Sequence, residues 1–280
     1  MTYKTILAVL DRPATASTIS DFALDFAEGF GAHVIGLHIE SVPSLPMLAP
    51  MEGPDPVAIE AMISAVKAET AGIEATFLKK ASLGTATGEW RNFISSVGFS
   101  SASAIDSART SDLIIAAQGD GSMLSDNRLD IESFLFDSGR PVLLVPYIAK
   151  EPHPIKRVLL AWNGSREAAR AAFDALPFLK QAEFVEIFCV NPPETPTQSP
   201  ETAGAEIAAT LARHGVNAVL STHQTFGMDA SAAIENRLAE NSIDLLVMGA
   251  YGHSRWREML FGGVTRTLLE SMTALTLLSR

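Results

Sequence analysis

The sequence predicts an α/β protein built from two tandem, doubly wound parallel sheets of five strands each. Two observations lead to this prediction: apolar runs of strand length alternate with helix-like stretches, and this order occurs twice along the 280 residues. Alternating strands and helices are typical of a parallel sheet covered by helices. The duplication therefore predicts two domains, at residues 1–149 and 154–280.

The duplication is visible in two pairs of matching segments. Residues 4–11 (KTILAVLD) match residues 156–163 (KRVLLAWN). Further along, residues 111–117 (SDLIIAA) match residues 243–249 (IDLLVMG). Because a repeated order of elements builds the same unit twice, we expect each half to have the order β-α-β-α-β-α-β-α-β.

In the first half, each early element has its own sequence signal. The apolar run in 4–11 ends at a carboxylate and predicts a buried strand. A helix-like stretch at 15–30 and an apolar run at 33–39 predict the next helix and strand. This half is the longer one because it also contains a Pro/Met-rich loop at 42–56 and a long helical stretch at 57–80.

The second half repeats the order without these extra residues. Residues 165–180 predict a helix, with Ser165 as its N-cap. Residues 183–190 predict the second strand, and the apolar run at 243–248 predicts the fourth.

The last strand of each half would lie at the edge of its sheet. These strands are predicted at 141–145 and 274–278. Since an edge strand needs cover, we predict that the two strands pair across the domain boundary. The chain would then be an intramolecular pseudo-dimer.

Composition narrows the class of protein. A net charge of −11 and a pI near 5.0 disfavour binding to nucleic acid and to anionic membrane surfaces. No segment approaches the roughly 20 apolar residues of a membrane helix, and the first apolar run is too short for a secretory signal. We therefore expect a cytoplasmic protein that binds neither nucleic acid nor membrane.

The sequence offers few cysteine and histidine residues for disulfide, metal or catalytic sites. The single cysteine, Cys189, excludes an internal disulfide, and its apolar surroundings predict an inert core residue. The histidines are scattered, so we expect no metal site. No catalytic constellation stands out, and no catalytic residue is predicted.

A glycine-punctuated loop follows the fourth strand of the second half. It contains Gly249 and Gly252 and, nine residues later, the segment 262–265 (GGVT) at the start of a helix-like stretch. Glycines let the backbone approach a bulky ligand, and a helix start offers free N–H groups with partial positive charge. This pattern is typical of a phosphate site.

With this loop, the sequence resembles a tandem member of the universal stress protein family. The family pattern is Gly-x2-Gly-x9-Gly followed by Ser or Thr, and Gly249, Gly252 and Gly262 have that spacing. The resemblance covers both halves in element order, whereas the glycine motif is present only in the second half. It implies an adenine nucleotide alpha hydrolase-like fold, association through the last strands and, as in some members, ATP binding.

The resemblance also implies a nucleotide site in the second half. Backbone N–H groups at the helix start would face the phosphates, and the first two glycines would let the loop fold over the ribose. An asparagine at the end of the first strand would contact the adenosine, and backbone groups at the end of the second strand would meet the base. His253, Arg255 or Arg257 would screen phosphate charge. The implied residues are Asn163, Val190, Gly249, Gly252, His253, Gly262, Gly263, Val264 and Thr265.

Two of these positions depart from the family pattern. Gly263 stands where nucleotide-binding relatives have the Ser or Thr that contacts phosphate, and Thr265 is the hydroxyl available to replace it. Asn163 stands where they have an aspartate, so an acceptor is kept but the charge is lost. Both departures weigh against tight ATP binding.

Charge favours the second half as the site. The first half keeps a strand-end aspartate, Asp11, but its stretch 118–137 carries five carboxylates against one arginine and lacks the glycine pattern. The matching stretch, 250–270, carries three arginines against two glutamates. Like charges raise the cost of binding a phosphate, so the first half is predicted to be a degenerate copy.

These features predict a stress-response protein that senses an adenine nucleotide, ATP (with Mg²⁺) or AMP, through its second domain. Any ATP hydrolysis should be slow because no general base is evident. One alternative is an interaction protein that binds a protein partner or a small apolar ligand. Another is an ATP-dependent enzyme that takes its missing chemistry from elsewhere. The sequence leaves open assembly into a homodimer and the role of residues 42–56.

Overall fold

The chain forms two compact units. The computed structural model describes residues 2–41, 56–95, 100–119, 131–192, 199, 202–225, 227, 229–250 and 263–280. The N-terminal unit comprises Tyr3–Ala116 and Ser122–Ser138, and the C-terminal unit comprises Met1–Thr2, Ala117–Gly121 and Gly139–Arg280. The domain limits at 149 and 154, drawn from the repeat alone, stay a prediction.

The N-terminal unit alternates strands and helices. Its elements are β1 (Thr5–Val9), α1 (Pro13–Phe30), β2 (His33–Ser41), α2 (Pro56–Ala81), β3 (Thr87–Ser95), α3 (Ser100–Arg109), β4 (Leu113–Ala117) and α4 (Ile131–Asp137). The strands lie in the order β3-β2-β1-β4, and the neighbours pair in parallel. The chain thus begins in the middle of the sheet and winds outward in both directions, as in doubly wound folds.

The C-terminal unit repeats this arrangement. Its elements are β5 (Val142–Val145), β6 (Arg157–Ala161), α5 (Arg166–Asp174), α6 (Leu176–Leu179), β7 (Phe184–Val190), α7 (Ala205–Arg213), β8 (Ala218–His223), α8 (Ala230–Glu240), β9 (Leu245–Gly249), α9 (Gly263–Glu270) and β10 (Leu275–Ser279). The strands lie in the order β5-β10-β9-β6-β7-β8. Within the described ranges each half of the chain contributes five strands, and the predicted fold class is confirmed.

One strand pair in the C-terminal unit is antiparallel, and it joins the last strands of the two halves. Leu144 of β5 lies opposite Thr276 of β10, and Leu143 lies opposite Leu277. All residues of both strands are buried. The prediction that these strands pair is confirmed, and β5 therefore packs with the unit that contains the second half.

One predicted helix is interrupted. The sequence predicted a continuous helix over 165–180, but α5 ends at Asp174 and α6 begins at Leu176. Pro177 cannot donate a backbone hydrogen bond, and its ring crowds the preceding turn, so the helix breaks just before it. The predicted N-cap is confirmed, because Ser165 Oγ accepts from the Ala168 N–H at 3.1 Å.

The central strands of both units form the core. Cys189 is buried in β7, and burial raises the pKa of its thiol to about 11. Its S–H lies 3.4 Å from the carbonyl oxygen of Ala203. The prediction of a core cysteine is confirmed, and such a thiol is almost entirely protonated at neutral pH. Across the described segments, no helix combines the length and the apolar character needed to cross a membrane.

The matching segments of the repeat share one structural role. Asp244, just before β9, accepts the N–H groups of the two residues that start β6, each at 2.8 Å. Asp112, just before β4, accepts the corresponding N–H groups at the start of β1, at 2.7 and 3.0 Å. Each carboxylate thus fixes the first strand of its half against the fourth.

Replacement of Asp244 by alanine is expected to lower the free energy of unfolding by about 2 kcal/mol, because two N–H groups lose a charged acceptor. Asp112→Ala should have a similar effect in the other unit. Urea unfolding followed by circular dichroism measures both. The control is Glu183→Ala, which removes only an exposed ion pair with Lys156 and should change stability by less than about 0.5 kcal/mol. An equal loss for the control would contradict the role of the aspartates.

Candidate functional site

The strand register brings three of the predicted residues to one edge of the C-terminal sheet. Ala161 of β6 is level with Phe188 of β7 and with Met248 of β9. Asn163 and the end of β7 therefore lie two residues beyond this level, and the end of β9 lies one residue beyond it. The carboxyl ends of the parallel strands thus bring Asn163, Val190 and Gly249 to the same edge.

Asn163 is exposed in the turn between β6 and α5. Its Oδ1 accepts a hydrogen bond from the Ser165 N–H at 3.0 Å, and Gly164 between them has a φ of +74°. The Asn163 Oδ1 atom, which was expected to accept a hydrogen bond from a ligand, thus already accepts one within this turn. The side-chain NH₂ group remains as a donor at the edge of the sheet.

The start of α5 carries its own ion pair. Glu167 is buried in the first turn of this helix, and Arg166 donates a hydrogen bond to its Oε1. Burial alone would raise the pKa of Glu167, but hydrogen bonds from Arg166 and from backbone outweigh it and hold this pKa below its usual range. The Glu167 carboxylate compensates the positive end of α5, and Arg166 balances its charge. Sequence pattern alone did not single out Glu167, although an acidic residue in the first turn of a helix is a recognisable signal.

Gly249 is required by packing. A Cβ atom at this position would lie 2.5 Å from the carbonyl carbon of Glu167 and closer still to the amide nitrogen of Ala168. Both are backbone atoms of α5 and cannot rotate away. This glycine therefore lets α5 lie directly on the end of β9, whatever its part in ligand binding.

Val190 ends β7 and is followed by a locked turn. Asn191 has a φ of +47° and donates its backbone N–H to the His223 carbonyl at 2.8 Å. Its side chain donates to Thr225 Oγ1 and accepts the Thr225 N–H, both at 2.8 Å. These two residues were missed by the sequence analysis, although asparagine is enriched in left-handed turns after a strand.

The other predicted residues lie on and before α9. The described helix begins at Gly263, close to the predicted start, and its first turn contains no acidic residue. Val264 is partly exposed, whereas Thr265 is only 5% exposed and offers a ligand little of its surface. At the other end of α9, Gln118 Nε2 donates to the Leu269 carbonyl at 2.8 Å and fixes the helix.

Three predicted site residues are not part of the described structure. Gly252, His253 and Gly262 lie outside the described residues, so their roles stay predictions. Within the described ranges, no group of three or more His, Cys, Asp or Glu residues could hold a metal ion.

Comparisons with known proteins agree with this architecture. The sequence model of the universal stress protein family matches residues 154–278. A universal stress protein from Archaeoglobus fulgidus DSM 4304 is 15% identical, with a TM-score of 0.73 over 99% of this chain and 98% of its own. A functionally unknown protein from Pseudomonas aeruginosa PAO1 is 14% identical, with a TM-score of 0.57 over 99% of this chain and 92% of its own.

No curated protein sequence matches the chain significantly. At such low identities, the likeness to solved structures shows the fold alone, and the match to the family model is confined to the second half. Residues 154–278 thus match the sequence model of the universal stress protein family, and over its whole length the chain has the fold of the archaeal universal stress protein.

Proposed function

We propose that the C-terminal unit binds an adenine nucleotide, ATP or AMP, and that the chain is a nucleotide-sensing stress-response protein. The observation that carries the proposal is the strand register, which gathers Asn163, Val190 and Gly249 at one edge. In doubly wound sheets, ligands bind outside the carboxyl ends of the strands, where the strand order reverses. Here that reversal lies between β6 and β9, which carry Asn163 and Gly249 at their ends.

The end of β7 offers backbone groups to a base. The Trp162 N–H donates to the Phe188 carbonyl at 2.9 Å, just past the end of β6. Because backbone groups alternate in direction along a strand, the N–H and C=O of Val190 face the same side as those of Phe188. They lie beyond this hydrogen bond, next to Asn163, where an adenine ring could receive and donate hydrogen bonds.

The charges near the site favour a phosphate at α9 over one at α5. The start of α5 holds the Glu167 carboxylate, already paired with Arg166, and is capped by the Ser165 side chain, whereas the first turn of α9 contains Gly263 and no carboxylate. A helix start without an acidic residue attracts anions through its free N–H groups and dipole. Mg²⁺ bound to ATP would be held mainly by phosphates and water and needs few protein ligands.

Isothermal titration calorimetry of ligand-free protein with ATP and Mg²⁺ tests the proposal, and we expect about one equivalent to bind. Val264→Glu places a carboxylate in the first turn of α9, where it stabilises the helix but repels phosphate. The affinity for ATP should fall about tenfold or more. The matched variant Val264→Gln measures the effect of the altered side chain alone.

Adenosine, which has no phosphate, should bind Val264→Glu and Val264→Gln equally well. Asn163→Asp keeps the acceptor for the Ser165 N–H and restores the family aspartate, so it should tighten nucleotide binding. Asp11→Asn, the opposite substitution at the matching position of the first half, should leave the affinity for nucleotide unchanged. If ATP, AMP and adenosine all give no heat, nucleotide binding is refuted and the interaction-protein alternative is favoured.

A further inference from the structure

The outer strand of the N-terminal sheet has one edge that pairs with no strand among the described residues. β3 pairs with β2 along its full length, from Thr87 opposite His33 to Ser95 opposite Ser41, and with no other strand of the described chain. It has nine residues in continuous register and contains no proline. A long, regular edge without proline or a bulge is a ready template for another strand.

The hydrogen bonds of β2 determine which residues of β3 face outward. The His33 N–H and the Leu37 carbonyl both bond to the β1 side, so the odd-numbered residues of β2 face β1 and the even-numbered ones face β3. Gly36 is in register with Trp90, so its N–H and C=O reach the residues on either side of Trp90. The backbone groups of Trp90, and by alternation those of Gly88 and Asn92, therefore point away from the sheet.

We propose that β3 pairs with β3 of a second copy of this chain, antiparallel and with Trp90 on the two-fold axis. In such a two-fold interface the same surface of each copy meets that of the other, so this surface must be complementary to itself. Outward-facing backbone groups form the hydrogen-bonded pairs of an antiparallel ladder. Trp90 would pair with Trp90 of the second copy, and Gly88 with Asn92 of that copy.

The side chains in this register are complementary in charge. In an antiparallel pair centred on Trp90, the residue before Trp90 lies opposite the residue after it in the second copy. Glu89 of each copy therefore lies opposite Arg91 of the other. These are non-hydrogen-bonded pairs, in which opposing side chains approach most closely. Within one copy, Glu89 and Arg91 already form an ion pair on the same face and are partly exposed. Registers centred on Gly88 or Asn92 also satisfy the backbone but do not place Glu89 against Arg91.

The other face of β3 is supported and partly apolar. The Trp90 ring lies 6.1 Å from the rings of Phe77 and His38, which hold it in place. Ile94, on the same face, is 64% exposed. This fixed, partly apolar surface would be extended across the axis by the second copy. An unrelated extended peptide could use the open backbone but would not generally match the charge order Glu89-x-Arg91, so a second copy is the partner we infer.

Sedimentation analysis over a range of concentrations tests the pairing. We expect a reversible dimer. Asn92→Pro removes an outward N–H without touching the β2 ladder, and proline is tolerated at such edge positions. It should raise the dissociation constant about tenfold or more. Asn92→Ala is the matched control. Like the proline variant it loses the side-chain hydrogen bond from Asn92 to Glu40, but it keeps the backbone N–H and should dimerise as the wild type does.

Charge exchange tests the register. Arg91→Glu places like charges opposite each other twice and should weaken the dimer about tenfold or more. The double exchange Glu89→Arg with Arg91→Glu restores the complement and should restore the dimer. Circular dichroism must show native folding for each variant. A wild type that stays monomeric up to its solubility limit would overturn the proposal, as would a dimer that both Asn92→Pro and Arg91→Glu leave unchanged.

Discussion

Replacement of Glu186 by alanine is expected to lower the free energy of unfolding by about 3 kcal/mol. Glu186 is 1% exposed and accepts hydrogen bonds from Arg237 Nε at 2.9 Å, from its Nη2 at 2.6 Å and from Asn241 Nδ2 at 2.7 Å. The variant leaves a guanidinium and an amide without their acceptor. Since the Arg237 side chain is 31% exposed and can turn partly to water, the loss should lie at the lower end of the range for a broken buried pair.

Urea unfolding at neutral pH, followed by circular dichroism and tryptophan fluorescence, measures this loss. The matched control is Glu240→Ala, because Glu240 also pairs with Arg237 but is 64% exposed. It should change the free energy of unfolding by less than about 0.5 kcal/mol. Equal losses for the two variants would show that the buried hydrogen bonds of Glu186 are not what stabilises α8 on the sheet.

Gly249→Ala is expected to destabilise the protein by about 3 kcal/mol or to prevent its folding. The added methyl group would overlap backbone atoms of Glu167 and Ala168, so α5 must move away from β9. The helix cannot move alone, because its first turn is also tied to the Asn163 turn through Ser165. Thermal and urea unfolding measure the stability, and calorimetry shows whether the nucleotide site is lost with it.

Gly29→Ala is the matched control for this glycine. Gly29 lies in α1, and a Cβ there would meet no atom within 4 Å. Alanine is favoured over glycine in helices, so the control should be as stable as the wild type or more stable by up to about 1 kcal/mol. A Gly249→Ala variant with wild-type stability would contradict the packing role and return this glycine to ligand binding alone.

Much of the fold could be predicted because its signals are local or repeated. The match of 111–117 with 243–249 pointed to equivalent fourth strands, and the structure gives the reason in the carboxylates of Asp112 and Asp244. The pairing of β5 with β10 followed from the need to cover edge strands. The break before Pro177 was missed because the apolar pattern continues through it.

The site could be predicted only in outline. The strand ends fix where Asn163, Val190 and Gly249 lie. The contact of Gly249 with α5 depends on residues about eighty positions earlier in the chain, which local pattern does not reveal. The acceptor of Asn163 is engaged by a turn, and Thr265 is buried, although either residue type is also common on ligand-facing surfaces. Tertiary packing, and not local sequence, determines the hydrogen bonding and burial of these side chains.

The pairing of β5 with β10 separates two kinds of boundary in this protein. The repeated segment of sequence begins near Lys156, but the main segment of the compact C-terminal unit begins at Gly139. A fragment cut at residue 154 would lack β5 and would leave β10, a strand with every residue buried, open along one side. A fragment starting at Gly139 would keep that side covered. The repeated segment and the compact C-terminal unit thus differ by the strand β5.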